Sequence, residues 1–163
     1  MRKRLSIILP LSATLLAVTG CGAKKNDLAP SACLATSNQY LQALEAAPSE
    51  VVLGEDLESG GQGQTLISDC LVPEQDAGQL ANIGQEMIVA ATKLNAQARA
   101  GSEPATVQLG YLIGAVGKGA DAIHTDLVRR LNSAARFSQT GGTLSASFER
   151  AFGRGFAAGH TSG

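Results

Sequence analysis

Apolar positions recur at three and four residues along most of the chain, the period of helices with one buried face. From Ser31 to Ala47 the residues Leu34, Tyr40, Leu41 and Leu44 follow that spacing, and Pro48 closes the run, which predicts a first helix. Residues 48–63 carry Gly54, Gly60, Gly61 and Gly63 among Glu55, Asp56 and Glu58 and have no apolar period, so they read as a flexible acidic loop. That loop lacks the ordered carboxylates and closing Glu of an EF-hand. Thr65 to Val72 is short enough to be a turn of helix or a strand.

The clearest period runs from Pro73 to Gly101, through Leu80, Ile83, Met87, Ala90, Ala91, Leu94 and Ala98. Pro73 suits a first helical turn, Glu74 and Asp76 suit its positive end, and Gly101 suits the stop. Ser102 then caps a second run reaching about Ser138, with Leu109, Leu112, Ile113, Val116, Ala120, Ile123, Leu127, Leu131 and Ala134 on one side. An unbroken helix of that span would be on the order of 50 Å long at 1.5 Å per residue. Helices over 74–100 and 103–138, joined by two or three residues, must fold back as a long antiparallel hairpin. After Gly141-Gly142, Leu144, Phe148, Phe152 and Phe156 stand four apart on a last helix ending near Phe156, one stripe that would pack on the hairpin as a third layer. With Arg150 and Arg154 beside it, that stripe also suits a partner or membrane surface. The fold class is therefore all-α, with an N-terminal helix and a Phe-bearing C-terminal helix against the hairpin, and 159–163 as a mobile tail.

Glycines are unusually placed in the hairpin. Gly110, Gly114 and Gly117 share a stripe and Gly119 adds a fourth, although each costs about 1 kcal/mol relative to Ala inside a helix. Three readings stand: close approach to the first hairpin helix, with Gly84 opposite Gly119 and Ala120; a kink at Gly117-Lys118-Gly119; or a ligand groove. Lys118 and Asp121 exclude a membrane-spanning Gly-x-x-x-Gly helix. Further along lie Asp121 and His124, one turn apart, the weak catalytic candidates: a carboxylate beside an imidazole can orient it for acid or base work, or simply form a helical pair.

The 163 residues, 44% apolar and 17% charged with net charge −1, suit one modest domain and exclude wholesale disorder or a general nucleic-acid binder. The chain has no Gly-x-Ser-x-Gly, His-Glu-x-x-His or Walker loop, which favours binding over catalysis, and no cofactor or metal is called for. Without Trp, and with only Tyr40 and Tyr111, stacking platforms for sugars or bases are scarce.

The N-terminus names a location. Arg2, Lys3 and Arg4 precede an apolar stretch from Leu5 to Val18, and small residues follow, the layout of an export signal over residues 1–20. Val18-Thr19-Gly20-Cys21 resembles the lipobox of bacterial lipoproteins. That resemblance covers the first 22 residues and implies cleavage before Cys21, a diacylglycerol thioether on its sulfur and acylation of the new N-terminus. Several acyl chains anchor stably where one binds reversibly. By the same resemblance Gly22, rather than Asp, leans toward the outer membrane, with the domain facing the periplasm. Residues 21–30 form a lipidated tether; its nine residues after Cys21 reach at most about 30 Å, so the single helical domain over 31–158 stays near the bilayer.

In an oxidising compartment Cys33 and Cys70 have one intramolecular pairing available, and with His124 and His160 they make a poor zinc set. Removing the signal also changes the charge. Without Arg2, Lys3 and Arg4 the chain keeps 10 basic and 14 acidic side chains, a charge of −4. Ten acidic residues and no Lys or Arg lie between Asn26 and Glu86, whereas eight basic and four acidic residues follow from Met87. The expected function is that of a membrane-anchored envelope interaction protein with a protein partner and no nucleic acid. The alternatives are a small-ligand binder or weak hydrolase using Gly110–His124, and an inhibitor or immunity-type lipoprotein.

Overall fold

Side-chain caps set where the helices begin. The computed structural model describes residues 28–55, 64–137 and 144–163, and within them five α-helices and one small sheet. Helix α1 (Ser37–Leu44) starts from a reciprocal box in which Thr36 Oγ1 accepts from the Gln39 N–H and the Gln39 side chain accepts from the Thr36 N–H. Asp76 caps α2 (Ala77–Arg99), Ser102 caps α3 (Glu103–Gly119) and Ser145 caps α5 (Ala146–Ser162), each accepting from the N–H three residues on. Helix α4 spans Thr125–Arg136.

Between α1 and α2 the chain forms an antiparallel pair, β1 (Val52–Glu55) and β2 (Gln64–Leu66), with Val52 opposite Leu66 and a bulge before Gly54. Part of the expected acidic loop is thus strand; Asp56, Glu58 and the glycines at 60, 61 and 63 lie outside the described residues. So do the signal over 1–20, Cys21, the tether as far as Asp27, and the turn at Gly141-Gly142.

The first expected helix is two pieces, a 3-10 turn over Ser31–Leu34 and then α1, and Leu34 faces solvent. Helix α2 starts at Ala77 rather than Pro73, because Asp76 takes the cap and Glu74 adopts a left-handed backbone that no helix continues. At its other end Gly101, with φ +98°, closes a paired C-cap: its N–H donates to Ala98 O and that of Ser102 to Gln97 O. The chain therefore turns straight from α2 into α3, as a helical hairpin requires.

The second hairpin helix is not continuous to Ser138. It ends at Gly119, Ala120 is extended, a 3-10 turn covers Ala122–His124, and α4 follows as a separate helix. One reason is tertiary and one local. Gly119 lies against the backbone of Ser68, where a Cβ would collide with the Ser68 carbonyl, and Asp121 restarts the helix by accepting from the Ile123 N–H at 3.1 Å.

Helix α3 is the axis of the molecule, buried from Ala105 through Val107 and again from Leu109 to Val116, with α2, α4, α5 and the Ser68–Cys70 turn against it. Its most extensive partner is α5. Val107 lies beside Gly155, Tyr111 beside Gly159 and Ala115 beside Gly163, so the two helices run parallel in one register. Gly110 and Gly114 complete the contact from the other side against the carbonyls of Phe152 and Phe156. The glycine stripe is therefore a packing surface, but its partner is α5, not α2. Gly84 of α2 instead receives Leu127 of α4, and Gly117 faces open space.

The face that α5 turns to α3 is accordingly small: Ala151, Gly155 and Gly159 are buried. Of the Phe stripe only Phe148 is buried, at 9% exposure; Phe152 is half-buried and Phe156 is 40% exposed. The rings stack along the helix, 6.1 Å from Phe148 to Phe152, 6.4 Å from Phe152 to Phe156 and 6.1 Å from Phe156 to His160. Helix α5 also continues past Phe156 to Ser162, taking in most of the residues expected to be a tail, and Ser68 Oγ donates to the buried Gly163 carbonyl at 2.6 Å.

Candidate functional site

Parallel packing of α3 and α5 brings two helix N-termini to one end of the molecule, where each carries a partial positive charge. The C-terminal end of α2 arrives at the same place through the Gly101 turn. Between them is a cleft of about 430 Å³, walled by Ala98, Leu144, Phe148 and Ala151 and rimmed by Arg99, Arg150, Arg154 and Glu103. Three guanidinium groups against one carboxylate make it basic, whereas much of the N-terminal half of the chain is acidic.

Arg99 is held from three sides. Its Nε donates to Asn95 Oδ1 at 3.3 Å, one NH2 group donates to the Arg136 carbonyl at 3.0 Å, and its guanidinium carbon lies 5.2 Å from the centroid of the Phe148 ring. Asn95, itself buried, donates to the Phe137 carbonyl at 2.8 Å, so the side chains of α2 also close the end of α4. Arg154 pairs with Glu103 across the mouth, tying α5 to the first turn of α3. Arg150 is exposed and makes no ion pair with a described residue.

Asp121 and His124 are brought together, but not as an accessible pair. His124 is wholly buried. The Asp121 backbone N–H lies 3.1 Å from its Nδ1, and its Nε2 lies 3.1 Å from Gln75 Oε1. Gln75 Nε2 donates in turn to the Cys70 carbonyl at 3.1 Å. Asp121 Oδ1 also lies 2.8 Å from Nδ1. The histidine joins the start of α4 to the approach to α2 and to the disulfide turn. The proposed groove from Gly110 to His124 is likewise closed, since the α5 backbone lies on Gly110 and Gly114.

Cys33 and Cys70 are bridged, with their Cα atoms 5.4 Å apart. Tyr40, buried beside them, donates its hydroxyl to the Cys33 carbonyl at 2.8 Å. Burial, reinforced by the charge of Glu86, pushes that hydroxyl well above the usual tyrosine range. Tyr111 is raised by burial too, against the lowering effect of the Val51 N–H that its oxygen accepts at 3.0 Å, and with Glu50 adding to the rise. Among the described residues no three His, Cys, Asp or Glu side chains converge as a metal set, and no helix is long and apolar enough to cross a membrane.

Sequence reasoning singled out Arg150 and Arg154 only as neighbours of the Phe stripe. Their place on a cleft with Arg99 follows from the parallel register of α3 and α5, which the pattern of either helix alone does not contain. Searches among protein families, curated proteins and solved structures find no match to this chain.

Proposed function

We propose that this chain is an exported lipoprotein of the bacterial envelope whose helical domain, held near the membrane by lipid on Cys21, works by binding rather than by catalysis. The observation that carries the reading is the lipobox-type sequence Val18-Thr19-Gly20-Cys21 behind a basic and apolar run. Support comes from the Cys33–Cys70 bridge, a chemistry suited to an oxidising compartment. The enclosure of His124 withdraws the acid–base pair on which a hydrolase would have rested. For contact with an envelope partner the domain offers Phe137, 62% exposed after α4, and Phe156, 40% exposed on α5.

The anchor is tested by expressing the Cys21→Ala variant in a bacterial host and separating membranes from soluble periplasm. The wild type is expected in the membrane fraction and the variant outside it; a variant that stays membrane-bound overturns the anchor. The binding role is tested by crosslinking in whole envelopes, with a discrete adduct expected and recovery of the monomer alone counting against it.

A further inference from the structure

We infer that the cleft between the N-terminal ends of α3 and α5 binds a phosphoester, with its phosphate on Arg99, Arg150 and Arg154 and its organic body against Phe148, Leu144 and Ala151. Four features carry this beyond the interaction role proposed above, and none depends on lipid at Cys21. The first is space: about 430 Å³ holds a phosphate with a glycerol-sized or sugar-sized body attached.

The second is the supply of donors. A guanidinium has five N–H groups arranged as a fork that fits phosphate oxygens. Arg99 uses two for Asn95 and the Arg136 carbonyl, Arg154 is engaged by Glu103, and Arg150 has no ion-pair partner among the described residues. The third is preorganisation: Arg99 is pinned by those two bonds and by the face of Phe148, so little side-chain freedom is lost when an anion arrives. The fourth is the wall. Phe148, Leu144, Ala98 and Ala151 line the same cleft, which favours an anion with an organic body over a bare, fully hydrated one. The first turn of α5 adds its positive end, and Ser145 and Ser147 supply hydroxyls at the rim.

A lipid headgroup and a free metabolite share this chemistry, and the test separates them. Purified full-length protein is titrated calorimetrically with glycerol 3-phosphate and with inorganic phosphate. A Cys21→Ala form is measured for co-sedimentation with vesicles of phosphatidylglycerol or of phosphatidylcholine. Saturable binding of glycerol 3-phosphate, tighter than inorganic phosphate and weakened about tenfold or more in Arg150→Ala, is the expected result. Arg150 is exposed and outside the core, so that variant is expected to fold, which circular dichroism checks. Arg150-dependent sedimentation with phosphatidylglycerol but not phosphatidylcholine assigns the phosphate to a lipid; glycerol 3-phosphate binding without it assigns a soluble ligand. Absence of saturable binding to every probe, or binding unchanged in a folded Arg150→Ala, overturns the site.

Discussion

At Gly110, Gly114, Gly155 and Gly159 one added carbon would collide with a backbone carbonyl of the opposite helix, whereas at Gly117 and Gly153 it would meet nothing within 4 Å. Substitution by Ala should therefore split by position. Gly110→Ala and Gly155→Ala force α3 and α5 apart and are expected to cost about 1–3 kcal/mol or more. Gly117→Ala and Gly153→Ala are expected to stabilise by about 0.5–1 kcal/mol each, through helix propensity alone. Urea midpoints of the four variants check both signs. Tyr40 gives a second prediction at this scale. Its hydroxyl is raised in the folded protein, so the folded state holds the proton more tightly than the unfolded chain. The stability this contributes is present in full below about pH 10 and is lost as pH rises beyond it. Tyr40→Phe should cost about 1 kcal/mol at neutral pH, from the lost bond to the Cys33 carbonyl. It should also flatten the decline above about pH 10, the reference tyrosine value, in urea titrations at each pH.

The start of α3 was legible because it is a local exchange, Ser102 taking the N–H three residues on, whereas Asp76, expected within the first turn of α2, is its cap, and that helix starts three residues later than expected. Helix partners were not legible. Whether Gly110 and Gly114 meet α2 or α5 depends on the path of the chain between α4 and α5, and no periodicity within α3 encodes it. The break after Gly119 was half visible in its three closely spaced glycine and lysine residues, but the cause, the Ser68 backbone arriving from a segment some fifty residues earlier, is tertiary. Asp121 and His124 show the same limit. Their spacing suggested a pair along one helix; they meet instead at a 3-10 turn, with His124 buried and its Nε2 against Gln75 Oε1, a partner from a distant segment. Replacing His124 by Phe should leave Gln75 Oε1 and the Asp121 N–H unpaired and cost about 1–3 kcal/mol. Combining it with Gln75→Ala should cost less than the sum of the two single changes, because they remove one shared network. A strictly additive pair of values would show that the two side chains do not act together.

Across the whole molecule, the acidic N-terminal and basic C-terminal halves of the sequence become a spatial arrangement, with three arginines of the C-terminal half on one end cleft. The disulfide ties the first 3-10 turn to the segment that seats Gly119, closing a loop of 37 residues. In the chain-entropy treatment such a loop stabilises by about 4 kcal/mol. The double Cys33→Ser, Cys70→Ser variant should lose stability on that scale, measured by urea unfolding against the oxidised wild type. On the lipid anchor proposed here, nine residues of at most about 3.3–3.6 Å each would hold this stapled helical domain within about 30 Å of a bilayer, in reach of what lies at the membrane surface. The intact mass of the protein recovered from host membranes tests that account most directly. A chain beginning at Cys21, carrying the mass of a diacylglyceryl group and an amide-linked acyl chain, and gaining two hydrogens on reduction, is the predicted result. An unacylated chain, or one whose mass does not change on reduction, would contradict it.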